Sequence, residues 1–174
     1  MNVYEQFPSA QVVDYQTESL INYLCCNKPI SNNFYSNREL SHLADVKNII
    51  KLVNIESYIF LLTFLIIFIV LLYKKQTKLL MEKLKLASLI TIIIITLLWF
   101  LSVINFDLFF LKFHYIVFDN DYWQLPQNSN LIKMFPAQFF ANFANRIALQ
   151  TLIMAIIIFL TSFFFIQKYA SKRH

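Results

Sequence analysis

Glycine is absent from all 174 residues of the chain. That absence removes several classes of chemistry. A P-loop, a dinucleotide-binding fingerprint and the strained turn of a G-x-S-x-G nucleophile elbow all need glycine where a β-carbon would clash. A GxxxG packing face is excluded as well. Contacts between helices therefore fall to Ala, Ser and Thr, such as Ala87, Ser88, Thr91, Thr151 and Ala155. Cysteine is scarce too. Cys25 and Cys26 are neighbours, a spacing that suits no zinc site and disfavours a disulfide because bridge geometry is demanding. Two small, at least partly buried residues are expected there. Charge is thin at 14%, against about 25% in a soluble domain.

What fills the chain is apolar: 58% of residues are hydrophobic, and three stretches carry no charge, at 57–73, 86–106 and 147–167. Each approaches the roughly 20 residues that a helix needs to cross a bilayer core. The fold class that follows is all-α, a polytopic membrane helix bundle with three visible spans. Residues 36–174 form one membrane domain, preceded by an extracytoplasmic segment at 1–35. No internal repeat or low-complexity linker interrupts it. Nineteen Phe and nine Tyr suit lipid-facing and interfacial surfaces.

Charge distribution gives an orientation. Lys74, Lys75, Lys78, Lys83 and Lys85 face a single Glu82 between the first two spans, and Lys168, Lys172 and Arg173 follow the third. The positive-inside rule places both groups in the cytoplasm. Nine of the ten acidic residues fall in segments 1–56 and 107–146, which are expected outside. The basic clusters are short, and topology with anionic lipid accounts for them without nucleic acid. In this orientation the only internal histidines, His42 and His114, come to one side of the membrane. The N-terminal region has no basic segment followed by an apolar core. Its export calls either for an N-out crossing of the polar tail or for a further span upstream of Met1, and the charge asymmetry favours the second.

Local patterns place the remaining elements. Residues 12–24 are amphipathic. Ser36-Asn37-Arg38-Glu39 reads as a capping box, in which Ser36 and Glu39 satisfy each other's backbone N–H. The helix it opens continues into the first span. Leu40, Leu43, Val46, Ile50 and Val53 recur on one face, and His42, Asp45 and Ile49 share another. Residues 106–118 are too few to cross back, so they bend along the outer interface or extend the helix. Residues 119–123 and 126–129 read as loops, and Pro136 suits the first turn of the third long helix.

Few side chains could do chemistry. His42 and Asp45, three residues apart on a helix, stack on one face, where a carboxylate can orient an imidazole and raise its basicity. An interfacial pair on a solvated face has the same spacing. His114 lies in Lys112-Phe113-His114-Tyr115, inside an apolar run. Ionisable groups near hydrocarbon are costly and tend to be functional, although a satisfied interfacial histidine is the plainer reading. No Ser or Cys elbow and no H-E-x-x-H occurs. His42, Asp45, His114, Asp119 and Asp121 have ligand chemistry for zinc, but their spacing matches no standard site.

Two segments carry a resemblance. One is Arg38-Glu39-Leu40-Ser41-His42-Leu43-Ala44-Asp45-Val46-Lys47. The other is Phe113-His114, then Asn120-Asp121-Tyr122-Trp123, then Leu131–Pro136 with Phe139-Phe140. Together they resemble the lipoprotein intramolecular transacylases, small bacterial membrane proteins, from about residue 22 to the C-terminus. Two positions differ from the pattern: the loop at 126–130 has no carboxylate, and Gln138 stands where an acid is expected.

The resemblance implies a four-helix bundle with its site on the outer face, and hence a first helix missing from this chain. It implies a reaction within one diacylglyceryl lipoprotein. The sn-2 acyl chain moves to the α-amine of the N-terminal cysteine, giving the lyso form. It implies His42 and His114 as the acid/base pair, with Arg38, Glu39, Asp45, Asn120, Asp121 and Trp123 in support.

The chemistry fits these residues. The nucleophile is the substrate's own amine, with a pKa of about 8, so neither an enzymic Ser or Cys nor a cofactor is called for. One imidazole takes the amine proton and the other assists the oxyanion or leaving alkoxide. His42 is the first choice of base, with Asp45 holding its tautomer, and the reverse order stays open. Asn120 or a backbone N–H would complete an oxyanion site. The aromatic segments 106–118 and 135–143 would wall two acyl chains, or simply meet lipid. The partners implied are a diacylglyceryl lipoprotein and membrane lipid. Three other readings fit the same residues: a non-catalytic membrane scaffold, a truncated inactive family member, or a metal-dependent membrane hydrolase.

Overall fold

The computed structural model describes residues 3–30 and 33–171. Lys172 and Arg173 of the basic tail lie outside them. Among the described residues a 3-10 turn at Val3–Gln6 precedes six helices: α1 (Ala10–Cys26), α2 (Asn37–Tyr73), α3 (Thr77–Ile104), α4 (Phe106–Val117), α5 (Asn130–Met134) and α6 (Ala137–Ser171). No strand occurs among the described residues. The chain divides into two compact units. One comprises Met1–Glu56 with Asp107–Phe140, and the other Ser57–Phe106 with Ala141–His174.

The second unit contains the apolar helical stretches. α2, α3 and α6 are long and apolar enough to cross a membrane. At 37 residues, α2 is about 55 Å long, well beyond the roughly 30 Å hydrocarbon core, so only part of it can lie within lipid. Large apolar side chains in this unit are mostly exposed, among them Phe60, Ile93, Phe100 and Phe164. Its buried positions are mainly small: Ser88, Ser102, Ala155 and Ser162. Small residues let helix backbones approach closely where glycine is unavailable. Ser88 and Ala155 were expected in this role, whereas Ala87 is exposed. Ser88 and Ser102 each donate to a carbonyl one turn back, on Lys85 and Trp99, so their hydroxyls bring no unsatisfied group inside. The Trp99 indole donates to Asn145 Oδ1 at 2.9 Å, joining α3 to α6.

Without glycine, the chain places other residues in left-handed conformations, at two turns among the described residues. Asn27 caps α1 at φ 56°, and Lys75 takes φ 53° between α2 and α3. Asn tolerates this region because its short amide bonds locally. Lysine lacks that help, so Lys75 carries a local conformational cost.

The first unit is a small folded body. Its core joins Leu20 of α1, Tyr35, Leu43 of α2 and Met134 of α5, with Phe34, Leu40, Leu131 and Phe135 packed against it. The expected stripe on α2 is used at Leu40 and Leu43 and fades to exposure by Val53. The capping box forms: Ser36 N–H donates to Glu39 Oε2 at 2.8 Å, and Glu39 N–H to Ser36 Oγ at 3.3 Å. The other carboxylate oxygen has a second task. Leu131 N–H, in the first turn of α5, donates to Glu39 Oε1 at 2.7 Å. Asn130 adds a bond from its amide to Phe34 O at 2.7 Å. Tyr35 completes the junction by donating to Met134 Sδ. Burial, and then the Glu39 charge, push the Tyr35 hydroxyl up to about 12.

Two sequence expectations change here. The second charge-free stretch runs through Phe106, but its helix stops at Ile104, and Asn105 is extended at φ −153°. Asparagine competes for local backbone bonds, which favours a break there. Residues 106–117 therefore form a separate helix and not an extension of α3. Cys25 and Cys26 are not buried; they are exposed and paired with each other. The α1 face turned inward carries Val13, Gln16 and Leu20, and the two cysteines fall off that stripe in the final turn.

Glu39 is 3% exposed and holds two segments 92 residues apart, so its loss is expected to be expensive. Glu39→Ala removes a cap and a charged hydrogen bond, for an expected loss of about 2–4 kcal/mol. Thermal unfolding in detergent reads it, and a shift no larger than that of Glu82→Ala, an exposed control, would refute this role.

Candidate active site

The fold places both internal histidines in the first unit. His42 lies in the second turn of α2, three residues past the capping glutamate, and outside the apolar stretch 57–73. His114 lies in the last turn of α4. Their ring centroids are 6.1 Å apart, at an interplanar angle of 37°. Both are buried, at 8% and 7% exposure. Residues 72 positions apart in sequence are thus brought within the span of one small polar group.

Aromatic rings enclose the pair. Phe118 lies edge-on to His42 at 5.1 Å and stacks on His114 at 5.5 Å. Phe110 and Trp123 flank His114 at 4.3 and 5.0 Å. Phe110 also touches Phe140 at 5.3 Å, so the two aromatic segments proposed as acyl walls do meet within this unit.

The two imidazoles differ in their hydrogen bonds. His114 Nδ1 lies 2.7 Å from Phe110 O. A carbonyl can only accept, so Nδ1 carries the proton, and in the neutral ring Nε2 presents a lone pair. His42 Nδ1 is buried without a partner. A bare buried acceptor is tolerated better than an orphaned N–H, which favours the His42 tautomer protonated on Nε2. One ring then offers an acceptor and the other a donor.

Burial disfavours charge on both. His42 is pushed down to about 4 by burial first and by the neighbouring His114 second, against an opposing pull from Asp45. Burial also lowers His114, and the Phe110 carbonyl partly offsets it. Both shifts favour the neutral imidazole near pH 7.

The supporting residues converge on the loop after α4. Asn120 donates its amide to Asp45 Oδ2 at 2.9 Å. Its Oδ1 accepts from Tyr122 N–H, a turn that closes the loop on itself. Arg38 Nη2 donates to Asp121 O at 2.5 Å, and the Asp121 carboxylate accepts from Gln124. Asp45 therefore bonds to Asn120, not to His42 as the sequence spacing suggested, and the Asn120 amide is largely engaged in holding the loop. Glu39 acts at the helix start, as described. Asp119 is exposed. Among the described residues no three His, Cys, Asp or Glu side chains group as metal ligands.

Sequence reasoning missed α5 and its tie to Glu39. The Ser129 cap, whose hydroxyl accepts from Ile132 N–H, was the available signal. It also missed Phe118 as a neighbour of both rings, and the Phe110 carbonyl, for which a sequence carries no sign.

The family model described as lipoprotein intramolecular transacylase Lit matches residues 3–140. The chain belongs to the lipoprotein intramolecular transacylase family. A solved structure of the membrane-integral lipoprotein intramolecular transacylase Lit from Bacillus cereus is similar at a TM-score of 0.82 and 28% identity, over 98% of this chain and 80% of that one. No curated protein sequence matches. With three apolar helices and a membrane-integral relative of the same fold, this transacylase-family chain is a multi-pass membrane protein.

The depressed imidazoles generate a pH prediction. Between pH 6.5 and about 4 the unfolded chain binds a proton at position 42 that the folded chain refuses. Stability is therefore full above pH 6.5 and declines as the pH falls, by up to about 1.4 kcal/mol per pH unit. His42→Gln should flatten that decline in detergent unfolding curves, and imidazole NMR should find His42 neutral at pH 6. A His42 midpoint at or above 6.5 would contradict it.

Proposed function

We propose that this protein moves the sn-2 acyl chain of a diacylglyceryl lipoprotein onto the α-amine of the same molecule's N-terminal cysteine. The observation that carries the reading is the pairing of two buried imidazoles, His114 with its Nδ1 bonded to the Phe110 carbonyl and His42 with its Nδ1 unpartnered, in a chain of this family. His114 Nε2 is the base. The substrate amine attacks the sn-2 ester carbon, the new N–C bond forms, and the amine proton passes to His114. His42 Nε2–H donates to the oxyanion of the tetrahedral intermediate. The C–O bond then breaks, and the proton held on His114 goes to the departing sn-2 oxygen, leaving a hydroxyl. These roles reverse the order first chosen from sequence, and the Phe110 carbonyl is the reason.

The arrangement suits an intramolecular transfer. Amine and ester already belong to one molecule, so holding them in contact supplies much of the rate. With ring centroids 6.1 Å apart, both imidazoles can reach one substrate head group. The exposed apolar side chains of α4, Leu108, Leu111 and Phe113, provide a surface for acyl chains. The charge asymmetry of the sequence supports placing this site on the outer face, with the 74–85 segment cytoplasmic.

Expression in cells that lack lipoprotein N-acylation tests this, with mass spectrometry of the N-terminal lipopeptide as the readout. The active protein should convert the diacylglyceryl form to the lyso form. His114→Ala should slow conversion by about 10²–10⁴-fold, and His42→Ala by about 10²-fold or more. Wild-type rates in both variants would sink the two-histidine reading. The substrate amine should dominate the pH profile. Its rate should rise toward a pKa of about 8, and any break from the imidazoles should fall below 6.5, because burial lowers both.

A further inference from the structure

We propose that Asp45 is a positioning residue for His114, acting across the 118–123 loop through Asn120 to hold the Trp123 indole against the imidazole. This rests on the two-histidine reading above. The spacing of His42 and Asp45 on one helix face invites a direct pair, yet His42 Nδ1 is buried with no partner and the Asp45 carboxylate accepts from Asn120.

The bonds form a chain that ends on the other imidazole. Asp45 fixes Asn120. Asn120 accepts from Tyr122 N–H and so sets the turn. Arg38, one helical turn before His42, pins the carbonyl of Asp121. Trp123 leaves this turn with its ring 5.0 Å from His114 and 5.0 Å from Tyr115, edge-on to the latter. Two residues of α2, Arg38 and Asp45, thereby grip a loop that covers a histidine of α4. The indole shuts water from the His114 ring and limits its rotation about the Phe110 bond. The motif residues Arg38, Asp45, Asn120, Asp121 and Trp123 then have one shared task, and none of them needs to touch the reacting atoms.

Reciprocal exchange tests this. Asn120→Asp sets two carboxylates against each other and should slow lipopeptide conversion by about tenfold or more. The double variant Asp45→Asn with Asn120→Asp restores donor and acceptor in reverse and should recover to within about threefold of the parent. Asp45→Asn alone keeps an acceptor for Asn120 and should retain most activity, whereas Asp45→Ala should not. In a Trp99→Phe background, Trp123 is the only tryptophan. Its emission should move to the red, with greater quenching by iodide, in Asn120→Asp, and return in the double variant.

Three outcomes overturn the proposal: an Asn120→Asp rate near the parent's, no recovery in the exchange, or an Asp45→Asn loss as deep as Asp45→Ala with Trp123 emission unchanged. The last would mean that Asp45 acts by its charge on His42. The emission series needs no turnover. It therefore judges the loop even if His42→Ala and His114→Ala turn out to be fully active, the result that defeats the underlying reading.

Discussion

A single carboxylate, that of Glu39, organises the first unit. One oxygen closes the capping box on Ser36 and the other receives the N–H of Leu131. Burying a charge is tolerable only when hydrogen bonds replace its hydration, and Glu39 obtains those bonds from two backbone segments that would otherwise be unrelated. The start of α2 is thereby fixed to α5. Tyr35 and Leu43 pack against Met134 beside this junction. His42 follows Glu39 by three residues, so the register of one imidazole is set by the same group that anchors the core.

The second imidazole is placed by a different kind of constraint. α3 stops at Ile104, and α4 starts afresh at Phe106. This short, apolar helix of 12 residues carries His114 in its last turn, beside His42. The loop after it turns back at Asn120, and its contacts with α2 close the arrangement.

Much of this was legible in the sequence. Charge-free runs mark the three long helices, because length and hydropathy alone make a span. The capping box forms at Ser36 and Glu39, since its chemistry is local to four residues. The loops at 119–123 and 126–129 fall where Asp, Asn, Pro and Ser cluster. What was not legible depended on partners distant in the chain. Asp45 three residues from His42 suggested a pair, but a tertiary contact with Asn120, 75 residues on, won the carboxylate. The second oxygen of Glu39 could not be assigned without knowing that α5 exists. Cys25 and Cys26 show the limit of composition: scarcity and adjacency suggested burial, and helical phase put them outside.

The bond from His114 to Phe110 has an implication for how such a site is studied. In many acid/base sites a carboxylate orients the imidazole, so its contribution can be cut away by substitution. Here the orienting group is a peptide oxygen one turn back in the same helix. Alanine scanning leaves it intact whatever residue stands at position 110. The element that decides which nitrogen is basic is thus written into helix geometry, and inserting or deleting one residue between 110 and 114 would erase it where no side-chain exchange could.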